Sequence, residues 1–286
     1  MLSTSYSLTA EINRQSALEA SIAQLQTNIS SGIQVHVASD DPQAAAQIAT
    51  IGRQQADETV YASNVKVAQA TTSLVDSNLT GVTTSLNRAK ELMLEASNGT
   101  MNDTDRAAAI TELQGIASSL NTAATATDAS GNPLFVKGSA ATQIPIGNGT
   151  TVAAADSYDE VFGSVTLADG STTSIASVLS SSIAALQTTD ATARTTAVNS
   201  SLDALDASAT HISDAQSDIG VRETQLNNAS DALASSALNL TDERSGFEST
   251  DVTAAAATLS SKMTTLNAAQ SVLASLSKIS LFDKIS

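Results

Sequence analysis

His36 and His211 are the only histidines in this chain, and there is no cysteine, so the side chains that usually carry chemistry are scarce. Neither histidine sits in an H-E-x-x-H or related ligand spacing, which leaves zinc chemistry and a Ser-His-Asp relay without support. His36 reads as a polar residue in a connection and His211 as a helix-face residue. Thiol catalysis, disulfides and thiolate-bound metals are excluded for want of cysteine. Asp40-Asp41 and Asp103 with Asp105 offer paired carboxylates, but neither pair has the spacing of a calcium loop, and helix capping explains both. The Gly-Asn-Gly-Thr run at 147–150 lacks the lysine and helix of a phosphate loop and reads as a turn. The expectation is a protein that is not an enzyme and that holds no metal and no cofactor.

The elements that position these residues are mostly helices. Hydrophobic residues make up 42% of the chain and aromatic ones only 2%, with no tryptophan, so the apolar content is small and aliphatic and suits helix seams. Against 13 Lys and Arg stand 29 Asp and Glu, a formal charge of -16. That surplus repels phosphate backbones and anionic lipid, so neither nucleic acid nor membrane insertion is expected. No run approaches the ~20 apolar residues of a membrane span. Met1 to Ala10 lacks the features of a cleavable signal peptide, so any export is expected to use another route.

Both ends carry heptads. Leu8, Gln15, Ile22 and Ile29 fall seven apart, with Glu11, Leu18 and Leu25 at the complementary positions, which predicts an amphipathic arm from about Ser5 to Ser31. Gly32 follows as a C-cap residue. At the other end Val252, Ala256, Leu259, Met263, Leu266, Gln270 and Leu273 step by four and three, and Leu281 and Phe282 belong to a more apolar tail. The two arms are expected to pair antiparallel. Between them, 44–97 reads as one long helix with a stripe through Ile51, Val60, Val67, Leu74, Leu79, Val82, Leu86 and Leu92. A second helix begins near Asp103 or Thr104, which are read as its cap. The window from Asp128 to Ile175 is richer in Gly and Pro. There Asp169-Gly170 lies between alternating residues, a hairpin signal. Helical patterning resumes near Ile175 and continues to the region before Gly246.

Asp41-Pro42 fixes where the long helix starts, because Asp is a strong N-cap and proline at the first helical position sacrifices no needed N–H. Residues 32–40 are then a non-helical connection. With Gly32, Asp40, Asp41 and Pro42 they read as a hinge between arm and rod, the plain alternative being an ordinary helix start.

The segments SDDPQAAAQ (39–47), NGTMNDTDRAAAITELQGI (98–116), GNPLF (131–135), IGVRETQL (219–226) and SLFDKIS (280–286), in that order, resemble the hook-filament junction proteins of the flagellin superfamily. The resemblance implies a mainly α fold: an elongated rod of long antiparallel helices with terminal coiled-coil arms and a small β-containing insert. It divides the chain into an N-terminal arm and connection (1–38), inner rod helices (39–127), the insert (128–175), returning rod helices (176–248) and a C-terminal arm (249–286). It implies a structural adaptor, exported to the extracellular flagellum. Its expected partners are copies of itself, the other junction protein, flagellin, and an export chaperone on the C-terminal arm. The expected assembly seam is Leu18, Ile22, Leu25, Ile29, Val252, Leu259, Met263, Leu266, Leu273, Leu281 and Phe282, ordering when neighbouring copies bury it. Arg106 and Arg222 are expected to pair with acids across the rod or between subunits, while Arg244 is read as a solvated charge. Two other readings are a minor flagellin of the filament itself and a surface module whose insert binds a glycan or host molecule. For a sugar platform only Phe135, Tyr158 and Phe162 are available.

Overall fold

Six helices and four short strands follow one another in the computed structural model, which describes the backbone of residues 2–99 and 101–282 and the side chains of 9–99 and 101–275. In chain order they are α1 (Leu2–Ser31), α2 (Pro42–Ser97), α3 (Asp103–Ala124), β1 (Gln143–Gly147), β2 (Thr150–Ala153), a π-helical turn (Asp159–Gly163), β3 (Val165–Thr166), β4 (Thr172–Thr173), α4 (Ile175–Gln187), α5 (Ala191–Glu248) and α6 (Val252–Phe282). The fold is mainly α, with two small antiparallel sheets. The chain divides into one unit of 1–56 with 237–286 and another of 57–236, so the division falls inside α2 and α5.

In the larger unit, α2 and α5 run antiparallel. The polar pairs Gln69 with Asn227, Thr83 with Gln216, and Lys90 with Asp206 descend α5 as they climb α2. Their facing stripes are strict heptads. Val65, Ala68, Thr72, Val75, Leu79, Val82, Leu86, Ala89 and Met93 are buried on α2, and Val198, Ser201, Leu205, Ser208, Ile212, Ala215 and Ile219 on α5. Ser201 and Ser208 are tolerated there because each hydroxyl donates to the carbonyl four residues back, Ala197 and Ala204. Leu113, Leu179 and Leu186 of α3 and α4 join the same core. Burying each such leucine contributes about 1.5–3 kcal/mol.

The insert packs on this core. Phe135 and Phe162 meet edge to face with centroids 5.0 Å apart and are 3% and 4% exposed. They are core residues, so they offer no open platform for a sugar ring. The β1–β2 turn takes Gly147, Asn148 and Gly149 through φ of 103°, 52° and 71°, which only glycine and, less readily, asparagine adopt without strain. Its flank closes a second cluster of Ile146, Val152 and Ala154 on Val65, Ala68 and Leu226. β3 and β4 flank Asp169-Gly170, with Val165 opposite Thr173, as the hairpin signal required.

Several expectations change. Val60, Val67 and Leu74 are exposed on α2 and do not line the core stripe, because the phase that α5 covers is the one through Val65 and Val75. The cap of α3 is Asn102, whose Oδ1 accepts from the N–H of Thr104 and Asp105 at 2.8 and 2.9 Å, and not Asp103 or Thr104. The returning helical stretch, α4 and α5, extends past Gly246, which lies inside α5.

In the smaller unit, α1 and α6 pair antiparallel. Ile33 and Ser249 form a bridge at one end, and farther along Lys262 Nζ donates to Ser21 Oγ.

Candidate assembly site

The paired arms are built from half-buried heptads. On α1 the inward stripe is Glu11, Gln15, Leu18, Ile22, Leu25 and Ile29, of which only Ile22 counts as buried, at 9% exposed. On α6 it is Ala255, Leu259, Lys262, Leu266, Ala269 and Leu273. Leu259, Leu266 and Leu273 thus face inward as the spacing suggests, but Val252, Ala256, Met263 and Gln270 do not. The complementary positions lie one residue earlier, at 255, 262 and 269. Val252 and Met263 are 48% and 46% exposed, and Ile12 and Val272 are also exposed, so the outer surface of this helix pair carries apolar side chains among its Ser, Thr and Asn residues. The Leu281 and Phe282 side chains lie outside the described residues.

The connections beside the arms are clamped together. Gly32 takes φ of 73° and its N–H donates to Asn28 O at 2.9 Å, which ends α1. Thr250 N–H then donates to Gly32 O at 2.8 Å and Gln34 N–H to Glu248 O at 2.7 Å, tying the α1–α2 link to the α5–α6 link. Asp40 Oδ2 accepts from the backbone N–H of Val37 and His36 at 3.0 and 2.9 Å, and these bonds hold its carboxyl below the usual range. Asp41 Oδ1 accepts from the N–H of Gln43 and Ala44, both at 3.0 Å, with Pro42 as the first helical residue. Asp251 does the same for α6, accepting from Thr253 and Ala254 at 2.9 and 3.0 Å. This second cap and the pairing of the two links were missed by sequence reasoning; Asp251 directly before the Val252 heptad was the available signal. Ser31 Oγ lies 3.4 Å from His36 Nε2, but Asp40 engages the backbone of His36 and not its ring, so no relay is formed.

The expected ion pairs fall differently. Arg106 does not reach across the rod: it pairs with Asp103 at 2.6 Å, in the first turn of its own helix. Arg222 pairs with Asp156 of the insert, and the two side chains are 20% and 18% exposed. Beside them, the Glu160 carboxylate accepts from Ser157 N–H and Oγ at 2.9 and 2.8 Å. Those bonds, with the Arg222 charge, hold it below its ordinary range. His211 Nε2 lies 2.8 Å from Glu160 O. The pairs that join helices, Arg88 with Glu112 and Lys90 with Asp206, have partners 24 and 116 residues away and leave no local sequence signal. Arg244 contacts Glu248 at 2.8 Å. Among the described residues, no cluster of three His, Cys, Asp or Glu could hold a metal ion, and no helix is long and apolar enough to cross a membrane.

Comparison with known proteins places this geometry. The model of the bacterial flagellin N-terminal helical region matches residues 3–140, and that of the flagellin C-terminal helical region matches 202–283. Flagellar hook-associated protein 3 of Salmonella typhimurium is 38% identical over 117 residues, 41% of this chain and 37% of that protein. The aligned stretch therefore spans little more than a third of that relative's length. Among solved structures, hook-associated protein 3 of Legionella pneumophila superposes with a TM-score of 0.62 at 16% identity, over 68% of this chain and 97% of that one. The flagellar junction protein FlgL, also of Legionella pneumophila, superposes at 0.55 with 18% identity, over 72% and 100%. At such identities these two matches speak to the fold alone. With both flagellin helical regions present, and with hook-associated protein 3 among its relatives, the chain belongs to the flagellin superfamily.

Proposed function

We propose that this chain is a non-enzymatic adaptor of the bacterial flagellum, many copies of which form the layer that joins the hook to the flagellin filament. The observation that carries the reading is the arm pair of α1 and α6. Its seam is only half-buried, and Ile12, Val252, Met263 and Val272 stand exposed on its other faces. Two helices alone bury too little to offset their ordering, so further copies are the natural cover. The arms order fully on assembly, and numerous contacts between copies offset the entropy cost. The axial neighbours are the other junction protein on one side and flagellin on the other, and before export a chaperone holds the C-terminal arm.

Immunogold microscopy of intact cells, with antibody against the 128–175 insert, tests this. One cluster between hook and filament is the expected result. Label along the whole filament would make the chain a filament subunit, and label over the envelope would make it a surface module.

A further inference from the structure

Four methionines hold all the sulfur in this chain, which has no cysteine. An oxidant that attacks sulfur must therefore find a thioether. Three of the four have described side chains, in three settings. Met93 is 0% exposed in the seam between α2 and α5. Met101 is half-buried and packs against the same core. Met263 is 46% exposed on α6. Val252, Ala256 and Gln270, all exposed, lie within about 20° of it around that helix and form one stripe beside the inward one of Leu259, Lys262 and Leu266. Between Ala256 and Gln270, Met263 is the one large apolar side chain on the stripe.

We propose that Met263 is an oxidation site of the free subunit: hydrogen peroxide converts its thioether to the sulfoxide ahead of Met93 and Met101, and that sulfoxide bars the arm pair from contact with further copies. The second half rests on the adaptor reading above. In the step, a lone pair on Sδ attacks one peroxide oxygen. The S–O bond forms as the O–O bond breaks, and the departing hydroxide takes up a proton and leaves as water. Sulfur gives up two electrons and the peroxide gains them.

Access orders the three sites. Sδ must meet peroxide and water together, which Met263 allows as it stands, while Met93 allows it only when the α2–α5 seam opens. The consequence for assembly follows from polarity. A sulfoxide replaces a soft apolar group by a strongly accepting oxygen, and covering that oxygen without a donor opposes the contact that a thioether favours. Leu259 and Leu266 are untouched, so the chain keeps its α1–α6 pair and loses only its outer contact. A neighbouring copy seated on the stripe also shields Sδ, so the sensitivity belongs to subunits that have not yet assembled.

The test uses the full-length protein without substitution, partly oxidised by hydrogen peroxide and mapped peptide by peptide in a mass spectrometer. The sulfoxide is expected to form roughly tenfold faster at Met263 than at Met101 or Met93, with the circular dichroism spectrum unchanged. The same pool is then incubated with flagella from cells lacking this chain, and the bound and unbound chains are mapped again. Met263 sulfoxide is expected to be roughly tenfold scarcer among bound chains, while sulfoxides at the other methionines divide evenly. Oxidation of Met263 no faster than that of Met101 overturns the proposal, as does an even division of its sulfoxide or a loss of helix in the oxidised pool. If untreated protein fails to bind, the adaptor reading falls and the block on assembly falls with it. The order of oxidation is read before any flagella are added, so the two failures are distinguishable.

Discussion

Arg222 on α5 donates to Asp156 in the insert, and this is the one ion pair among the described residues whose two side chains are both about four-fifths buried. It joins segments 66 residues apart in sequence. Removing one partner leaves the other charged in a poorly hydrated place. Asp156→Ala is therefore expected to lower stability by about 1–3 kcal/mol. The double variant Asp156→Ala with Arg222→Met should recover part of that loss. Denaturant titration of the four proteins checks it; additive losses would show that the pair is not coupled.

Glu160 gives the acid limb of stability a defined sign. Its folded carboxyl lies below the ordinary 4.5, first through the Ser157 hydrogen bonds and then through Arg222. The ionised form is thus favoured by folding. Its contribution is complete above about pH 4.5 and is lost as the pH falls through the lowered folded value. Glu160→Gln is expected to flatten stability against pH below 4.5 and to change its slope little between pH 6 and 8, read by thermal melts across that range.

At the start of α2, Asp41→Ala removes the acceptor for Gln43 and Ala44 N–H and is expected to cost about 1 kcal/mol. Asp41→Asn, which keeps the acceptor, should cost only a few tenths. Hydrogen exchange of the Gln43 and Ala44 amides is the direct readout, and equal protection in all three proteins would contradict the capping role.

The phase of α6 separates two kinds of arm variant. Leu259→Asp with Leu266→Asp strikes the half-buried stripe, so it is expected to unpair α1 from α6, to abolish assembly and to leave the 57–236 unit folded. Met263→Asp strikes the 46% exposed face and should leave the α1–α6 pair intact while still blocking contacts between copies. Circular dichroism and incorporation into flagella measure the two effects. Wild-type incorporation of both proteins would remove the arms from the assembly site.

Local chemistry by itself determined a good deal of this protein. Asp41-Pro42 starts α2, Gly32 ends α1, Asp169-Gly170 turns a hairpin and the glycines around Asn148 turn another, because caps and positive φ depend on a few adjacent residues. The heptads at both ends, and the want of histidine and cysteine, were equally legible in the sequence. Tertiary structure decided the phase of each seam. α2 carries two stripes at three-four spacing, one through Val65, Val75 and Leu79 and one through Val60, Val67 and Leu74, and either could have faced inward. Only the packing of α5 and the insert covers the first and leaves the second open. On α6 the choice between Ala255 with Lys262 and Ala256 with Met263 is a shift of one residue, about 100° around the helix, and the position of α1 makes it. Asp156, Asp206 and Glu112 found their cationic partners the same way, through distances that chain topology sets and sequence spacing does not record.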